Sequence, residues 1–181
     1  MEVVELELAG LKLIKPRVFG DSRGFFLETH HAERYRRVGI ACDFVQDNHS
    51  RSVRDVVRGL HYQEHPGQAK LVYVTTGRVF DVAVDLRPES ATFGRWHGLY
   101  LDDREHHQLF IPVGFAHGYC VVSDYADFIY KVSAPYDGAT ERTLRWDDPE
   151  IGVDWPSVTP ILSDRDRVGE TFTELLARTR R

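Results

Sequence analysis

Residues 57–63 and Lys70 supply the side chains that could move a proton. If residues 57–63 form a β-strand, Val57, Gly59 and His61 share one face, because side chains alternate with period two. The glycine marks a bulge or a close approach of a ligand. Lys70 opens the next apolar run, so it could face His61 across a hairpin. An imidazole beside an ammonium group suits a reaction in which a proton leaves and negative charge develops on oxygen. The alternative is a partly buried histidine and a solvated lysine.

Carboxylates on a neighbouring strand could support the lysine. In residues 79–86, Asp81 and Asp85 share one face of the predicted strand, opposite an apolar face. Two carboxylates next to Lys70 would orient its ammonium group and keep it charged. We predict a supporting role for Asp81 if a pocket adjoins this face, whereas a solvent-exposed face would leave the pair without a function.

A turn near the N-terminus could bind an anion. Arg23 stands beside Gly24, where its guanidinium group could meet an anion, and Phe26 could offer a stacking surface. The alternative is an ordinary turn arginine and a core phenylalanine.

Nine histidines raise the question of a metal site. Residues 61–65 and 112–117 look like the two histidine-bearing motifs of the cupin barrels. Metal-binding cupins have a His-any-His pair and a glutamate in the first motif, whereas Gln63 and Lys70 stand here. An amide and an ammonium group are poor ligands for a divalent cation. The adjacent His106 and His107 would point to opposite faces of a strand. We therefore predict no metal and no other cofactor.

Composition indicates one globular domain. The chain has 181 residues, of which 42% are hydrophobic, enough for a core of its own. A net charge of −5 and a pI of about 6.0 argue against a nucleic-acid partner. Cys42 and Cys120 lie in apolar surroundings and predict buried thiols in a reducing compartment. We see no leader and no apolar run of membrane-spanning length, so we expect a cytoplasmic protein without a membrane partner.

Short segments with alternating polarity predict an all-β fold. Many such segments recur between residues 3 and 146, and helical patterns are confined to residues 31–38 and about 170–179. Many short strands at regular spacing, with little helix, are typical of an antiparallel sandwich or barrel.

Six ordered motifs carry a resemblance to a known family. They are VFGDSRGFF at 18–26, FVQDNHS at 44–50, RGLHYQ at 58–63, FDVAVD at 80–85, PVGFAHG at 112–118 and LSDRD at 162–166. With them the chain closely resembles the dTDP-4-dehydrorhamnose 3,5-epimerase family of the cupin superfamily. The resemblance implies a single jelly-roll domain over residues 1–181. It also implies cofactor-independent epimerisation at C3 and C5 of dTDP-4-dehydro-6-deoxy-D-glucose, through an enolate, to dTDP-4-dehydro-L-rhamnose.

The resemblance implies four catalytic residues. His61 matches the general base, and Asp166 matches the carboxylate that pairs with it and raises its basicity. Lys70 matches the residue that stabilises the enolate oxygen at C4. Tyr130 matches the acid that delivers a proton from the opposite face of the ring. Inversion requires this two-sided geometry, because a single base would tend to return the proton to the side it came from.

The resemblance also implies nine substrate-binding residues in a homodimer. Those matching pyrophosphate contacts are Arg23, Arg58 and Arg165, and Tyr136 matches a residue that stacks on the nucleotide base. Nucleotide and sugar contacts match Phe26, Glu28, Gln46 and Asn48, some of them reaching from the partner subunit. The two subunits would exchange their N-terminal strands, at about residues 1–29. His117 matches a pocket residue with a supporting role.

Two alternatives stay open. Within the enzyme class, a 3-epimerase or a 5-epimerase acting on a related dTDP-4-keto-6-deoxy sugar fits the same motifs. In a different class, the chain would be a non-catalytic or metal-using cupin that binds a nucleotide sugar. Metal analysis of protein purified without added ions separates this last class from a cofactor-free enzyme.

Overall fold

The computed structural model describes residues 1–179, which form mainly β-strands. The thirteen strands in this range are β1 Glu2–Glu5, β2 Lys12–Lys15, β3 Val18–Asp21, β4 Gly24–Leu27, β5 Gln46–Val53, β6 Val57–Gln63, β7 Lys70–Thr76, β8 Arg78–Asp85, β9 Trp96–Asp102, β10 Gln108–Ile111, β11 Phe115–Val121, β12 Tyr125–Val132 and β13 Glu141–Thr143. The helices are α1 Ala32–Arg37, α2 Asp164–Arg167 and α3 Phe172–Thr179. None of the helices in residues 1–179 has the length and apolarity needed to cross a membrane.

Two antiparallel sheets pack face to face. The six-stranded sheet has the order β1-β2-β10-β7-β12-β5, and the five-stranded sheet has the order β13-β6-β11-β8-β9. An apolar core lies between them and includes Val72, Leu109 and Phe128 of the first sheet and Ala83 and Val121 of the second. The predicted all-β, cupin-type antiparallel sandwich with a few short helices is confirmed.

Several strands are apolar on both faces because the outer faces of the sheets are covered as well. On β8, Ala83 belongs to the core between the sheets, whereas Val82 packs outward with Trp155 of the C-terminal region. On the other side, Tyr35 of α1 and the nearby Ile40 cover the six-stranded sheet. The alternation predicted for β8 is therefore correct, although neither of its faces is open to solvent.

Strands β6 and β7 do not form the hairpin predicted for His61 and Lys70. β6 lies between β13 and β11 in one sheet, whereas β7 lies between β10 and β12 in the other. The chain crosses from one sheet to the other between them. His61 and Lys70 therefore approach each other across the sandwich. A local residue pattern cannot separate the two arrangements, because both connect two extended apolar runs.

The hairpin of β3 and β4 forms a small sheet of its own, and the ring of Phe25 packs on His106 with ring centroids 4.5 Å apart. Within residues 1–179 its two strands pair with each other and with no other strand. Its aromatic residues are largely exposed: Phe19 is 50% accessible, Phe25 61% and Phe26 69%. In contrast, β1 and β2 extend the six-stranded sheet of their own chain through β10. The exchange predicted for about residues 1–29 stays a prediction, and within that segment the β3–β4 hairpin is the part that pairs with neither large sheet.

The helices follow the sequence pattern in two cases of three. α1 lies within the predicted range 31–38 and is followed by Gly39 in the left-handed region, at φ 82°. α3 lies within the predicted range 170–179. The four-residue α2 was not predicted, since it is too short to show a periodic pattern. Of the two predicted buried thiols, Cys120 is buried and Cys42 is only partly so.

Candidate active site

A cavity of about 180 Å³ lies between the two sheets and gathers eight of the predicted site residues. These eight are Gln46, Asn48, Arg58, His61, Lys70, His117, Tyr130 and Tyr136. The cavity is also lined by Ser50, Gln68, Gly118, Tyr119, Phe128 and Glu141. A larger depression of about 640 Å³ is lined by arginines and carboxylates, with no histidine among its lining residues. The smaller cavity is therefore the candidate site.

A β-bulge in β6 turns two of these residues into the cavity. Arg58 pairs with Tyr119 and His61 with His117, so three steps along β6 match two steps along β11. Gly59 makes the bulge possible, because its φ is +130° and a Cβ there would lie 2.6 Å from the Cα of Gly118. The prediction that Val57 and His61 share one face is wrong for this reason, since Val57 packs in the outer cluster while Arg58 and His61 line the cavity.

His61 is paired with the carboxylate of Asp166. The imidazole Nε2–H donates to Asp166 Oδ1 at 2.6 Å, and the carboxylate side chain is only 5% exposed. Asp166 stands in α2, whose N-cap Ser163 accepts from the Asp166 backbone N–H and donates its hydroxyl to Oδ2 at 2.8 Å. Burial opposes the ionisation of Asp166, but the hydrogen bonds from His61 and Ser163 outweigh it and lower the pKa of the carboxyl. The structure thus holds an ionised carboxylate against the imidazole and leaves Nδ1 as the nitrogen able to accept a proton.

Lys70 brings an ammonium group into the same cavity. Its side chain is nearly fully buried, and Nζ donates to the backbone carbonyl of His61 at 3.2 Å. Burial lowers the pKa of Lys70 to about 8, against the opposing effect of the carboxylates of Glu141 and Asp81. The ammonium form therefore predominates at neutral pH and is lost as the pH rises through about 8.

The two carboxylates of β8 have different partners from those predicted. Asp81 is fully buried, and His117 Nε2 lies 3.0 Å and 3.1 Å from its two oxygens. Burial lowers the pKa of His117 although the Asp81 carboxylate opposes this effect. Asp85 is wrongly placed by the prediction, since it accepts hydrogen bonds from Arg87 and Ser90 in the turn after β8. Asp81 acts on Lys70 through its charge, and Asp85 shapes a turn.

Tyr130 lines the cavity from the sheet opposite to His61. It stands on β12 of the six-stranded sheet, whereas His61 stands on β6 of the five-stranded sheet. Burial raises the pKa of the Tyr130 phenol, and nearby Tyr119 and Glu141 add to the shift. The hydroxyl accordingly keeps its proton over the neutral range and can donate it.

The inner face of β5 is polar along its length. Gln46 Nε2 donates to Asn48 Oδ1 at 2.9 Å, and Gln46 Oε1 accepts from the backbone N–H of Tyr136 at 3.0 Å. Farther along, Ser52 Oγ accepts from Arg58 Nε at 3.0 Å. In the described part of the chain, Arg58 has no carboxylate within ion-pair distance. A guanidinium group without a counter-charge, on a polar wall, suits an anionic ligand.

Glu141 is a cavity residue that was missed in the sequence. It pairs with Gln63 at the start of β13, and its carboxylate lies 2.6 Å from Nη1 of Arg165. Arg165, a predicted site residue, thus reaches the cavity edge through this ion pair. The available signal was weak, because the strand predicted here began one residue later, at position 142.

The structure does not bring the remaining three predicted residues to the cavity of their own chain. Arg23 pairs with Asp21 within the β3–β4 hairpin, and Glu28 pairs with Arg34 of α1. Phe26 is exposed on the same hairpin. Because some of the nucleotide contacts were expected from the partner subunit of a dimer, the substrate-binding role of Arg23, Phe26 and Glu28 stays a prediction.

A polar network fastens the C-terminal segment to the outer side of β6. Tyr62 donates its hydroxyl to Glu170 and accepts from Arg178 Nη2 at 2.7 Å. Arg178 also donates to Glu170 at 3.0 Å and pairs with Glu64. Burial raises the pKa of the Tyr62 phenol well above its ordinary value, and the bond to Glu170 adds to the shift. The strand that carries His61 and the segment that carries Asp166 are thereby joined a second time.

Clusters of metal ligands are absent from the described residues. No three His, Cys, Asp or Glu side chains within 1–179 converge as they would around a metal ion. His61 and His117 each have a carboxylate partner, and the ammonium group of Lys70 lies in the same cavity. That the protein works without a metal or other cofactor stays a prediction.

Comparisons with known proteins agree on one family. A family model described as dTDP-4-dehydrorhamnose 3,5-epimerase matches residues 5–174. A curated dTDP-4-dehydrorhamnose 3,5-epimerase of Shigella flexneri is 47% identical over 176 residues, which is 96% of this chain and 97% of the relative. A curated dTDP-4-dehydrorhamnose 3-epimerase of Streptomyces niveus is 43% identical over 169 residues, covering 92% of this chain and 82% of the relative.

A solved structure of the same family is similar to this chain in both fold and sequence. The dTDP-6-deoxy-D-glucose-3,5-epimerase RmlC of Legionella pneumophila, in complex with dTDP-4-keto-L-rhamnose, superposes with a TM-score of 0.95. It is 44% identical and covers 98% of this chain and 95% of its own.

Proposed function

Since the chain belongs to the dTDP-4-dehydrorhamnose 3,5-epimerase family, we propose that it inverts C3 and C5 of dTDP-4-dehydro-6-deoxy-D-glucose. The product is dTDP-4-dehydro-L-rhamnose. One observation carries the proposal: a base backed by a carboxylate, His61 with Asp166, and a protonated phenol, Tyr130, line one cavity from opposite sheets. Inversion at carbon needs a proton acceptor and a proton donor on opposite faces of the sugar.

His61 is the proposed base for both carbons. C3 and C5 each lie next to the C4 ketone, so removing either proton puts negative charge on the C4 oxygen. Asp166 holds the imidazole in one orientation and stabilises the imidazolium that forms. The Lys70 ammonium group stabilises the enolate oxygen, an interaction that is stronger in the transition state than in the ground state. Its burial supports this role, because a charge interacts more strongly where water is excluded.

Tyr130 is the proposed acid on the other face. Its raised pKa keeps the phenol protonated, and its place on the six-stranded sheet sets it apart from His61. After donation, the phenolate recovers a proton from solvent, and the His61 imidazolium releases the proton it took from carbon to solvent. His61 and Tyr130 then return to their starting states for the second carbon.

Binding of the nucleotide is assigned to the cavity rim. Arg58 and Arg165 would meet the pyrophosphate, Tyr136 would stack on the base, and Gln46 and Asn48 would contact the sugars. His117, held by Asp81, supports the pocket wall. The exposed ring of Tyr136, 57% accessible, supports a stacking role.

The protein is proposed to act as a homodimer. Arg23 and Phe26, on the β3–β4 hairpin, and Glu28, directly after it, would enter the partner's cavity. The exposed aromatic side chains of this hairpin support the assignment, because isolated two-stranded hairpins are only marginally stable in water. A cytoplasmic location is proposed as well, and the free thiols Cys42 and Cys120 support it.

The test of the function is incubation with dTDP-4-dehydro-6-deoxy-D-glucose in D2O, followed by NMR. We expect deuterium at both C3 and C5 and a product inverted at both. Label and inversion at one carbon alone would instead favour the monoepimerase alternative, which the 3-epimerase of Streptomyces niveus represents.

Activity that disappears on treatment with a chelator and returns with a divalent cation would favour the metal-using cupin.

Asp166→Asn should weaken the base without removing it. We expect kcat to fall by about tenfold to a hundredfold, less than the full contribution of a general base. Steady-state rates measured beside those of the wild type test the effect. A kcat equal to that of the wild type would count against the pair.

Lys70 should set the basic limb of the rate profile. The ammonium form is present below its pKa of about 8 and is lost above it, so kcat should fall as the pH rises through that value. The Tyr130 phenol stays protonated over this range. Lys70→Met should lower kcat by roughly 10²–10³, as the loss of an oxyanion donor does, and should abolish this limb. Lys15→Met, at a surface ion pair, is the matched control and should change neither. A limb near pH 8 that survives in Lys70→Met contradicts the assignment.

Arg58→Ala should act on substrate binding. A pyrophosphate does not change during the reaction, so its contact stabilises ground state and transition state equally and affects KM. We expect KM to rise by roughly tenfold to a hundredfold, the equivalent of one charge-assisted hydrogen bond, with kcat within about twofold. Arg54→Ala, at an exposed pair with Asp124, should leave both constants unchanged. A large loss of kcat at constant KM would place Arg58 at the reacting centre instead.

A further inference from the structure

A row of stacked aromatic rings lines the cavity beside Tyr130. Phe128 is its centre, with the ring of Tyr119 stacked at 4.1 Å and 18° and that of His117 at 5.9 Å and 23°. The ring of Tyr130 rests against the same Phe128 at 6.1 Å and 48°. Tyr119 and Phe128 are both almost completely buried, at 4% and 1% exposure. The orientation of Tyr130 therefore depends on where Phe128 is held.

A hydrogen bond between the two sheets holds this row at one end. The hydroxyl of Tyr119, on β11 of the five-stranded sheet, lies 2.9 Å from Ser50 Oγ on β5 of the six-stranded sheet. Ser50 is the register partner of Phe128, and Asn48 is the register partner of Tyr130. The bond thus ties the sheets together beside the strand that carries Tyr130. At the other end of the row, His117 is bonded to Asp81.

Packing alone does not explain the hydroxyl of Tyr119. A phenylalanine would fill almost the same volume and keep the stack on Phe128, without the need to satisfy a buried polar group. The hydroxyl and Ser50 both line the cavity, although neither has a role in the proposed mechanism. The position of the bond, between two sheets and next to Tyr130, is the feature to be explained.

We propose that Tyr119 and Ser50 are positioning residues for Tyr130, whose hydrogen bond fixes Phe128 and so sets how often the enolate is protonated with inversion. This inference rests on the proposed role of Tyr130 as the acid. Once His61 has taken a proton, the enolate has two fates. It regains a proton from the His61 side, which exchanges hydrogen without inversion, or from Tyr130, which inverts the carbon.

The ratio of inversion to exchange at C5 measures this partition within each enzyme molecule. Because both fates start from the same enolate, a loss of folded protein lowers both rates and leaves their ratio unchanged. Tyr119→Phe and Ser50→Ala should each lower the ratio by about fivefold, the equivalent of one net hydrogen bond. The double variant should be no worse than either single variant, because the two changes remove one shared bond. Ser50→Thr, which keeps a hydroxyl, should restore the ratio.

Tyr35→Phe is the matched control. It also removes a buried phenolic hydroxyl, one bonded to Gln108 under α1, away from the cavity. It should lower the melting temperature and leave the ratio unchanged. A fall in the ratio for Tyr35→Phe as large as that for Tyr119→Phe would overturn the proposal.

Tyr130→Phe, measured in the same assay, distinguishes a failure of the positioning role of Tyr119 and Ser50 from a failure of the assignment of Tyr130 as the acid. If it lowers the ratio while Tyr119→Phe and Ser50→Ala do not, the positioning role is wrong and the acid assignment stands. If Tyr130→Phe leaves the ratio unchanged, the acid assignment fails and the positioning role fails with it. A fall in all three variants, restored by Ser50→Thr, supports both.

Discussion

His61→Ala should abolish both epimerisation and hydrogen exchange at C3 and C5. On the proposed mechanism no other group removes the proton from either carbon. The rates at C3 and at C5 should therefore fall to the same extent. General acid–base catalysis contributes typically about 10²–10⁴-fold, and we expect a loss at the upper end of that range. The imidazole is 26% exposed in a polar cavity, so its removal costs little core packing. Deuterium incorporation followed by NMR measures the effect, and the melting temperature reports on the fold.

His49→Ala is the control for that experiment. His49 stands on β5, and its side chain is 58% exposed and bonded to Asp127, outside the cavity. The rates of exchange and epimerisation in His49→Ala should equal those of the wild type. Near wild-type exchange at one of the two carbons in His61→Ala would mean that the carbons use different bases.

Tyr130→Phe should separate exchange from inversion. The variant keeps the ring that rests on Phe128 but cannot donate a proton. His61 and Lys70 remain, so the enolate still forms and deuterium still enters from solvent. Inversion at C5 should fall by roughly 10²–10³, because the donor on the opposite face is missing. If Tyr130 were simply a core aromatic residue, this change would be nearly silent.

Both quantities can be read from one NMR sample in D2O. Label without inversion at C5 is the expected result. Exchange and inversion at C5 that stay equal and undiminished would contradict a mechanism with donors on two faces. Tyr125→Phe, at an exposed position at the start of the same strand, is a suitable control.

Local patterns in the sequence were sufficient for the strands but not for their arrangement. Alternation in residues 79–86 predicted both faces of β8 correctly, because side-chain direction follows from backbone geometry alone. The same rule failed in β6, where the bulge at Gly59 adds a residue and reverses the faces after it. Whether β6 and β7 form a hairpin or cross between sheets depends on packing with β10, β11 and β12. No residue between positions 63 and 70 encodes that choice by itself.

Some residues of the candidate site could likewise be predicted from the sequence, whereas others could not. The roles of His61, Lys70 and Tyr130 were predicted through the family resemblance, and the three residues lie together in one cavity. Glu141 lacks such a signal, since a single glutamate before a short strand resembles many surface residues. Asp85 was misplaced because its partners, Arg87 and Ser90, belong to a turn whose shape the strand pattern does not contain. Arg23 stands on the β3–β4 hairpin, outside both large sheets, and the structure of one chain does not decide whose cavity it enters.

The late position of Asp166 in the chain gives the enzyme an order of assembly. The last strand, β13, ends at Thr143, so every strand of the sandwich precedes the residue that orients His61. Asp166 cannot orient the imidazole before it has been synthesised, and the residues that follow it cover the same sheet, with Arg178 bonded to Tyr62 and Leu175 packed against the outer face of the five-stranded sheet. A chain still being synthesised would thus expose Val57 and Val82 on that face and hold an unoriented base. On the proposed mechanism, an unfinished chain is therefore prone to aggregate, because this apolar surface is uncovered, and slower in catalysis, because its base lacks the Asp166 carboxylate.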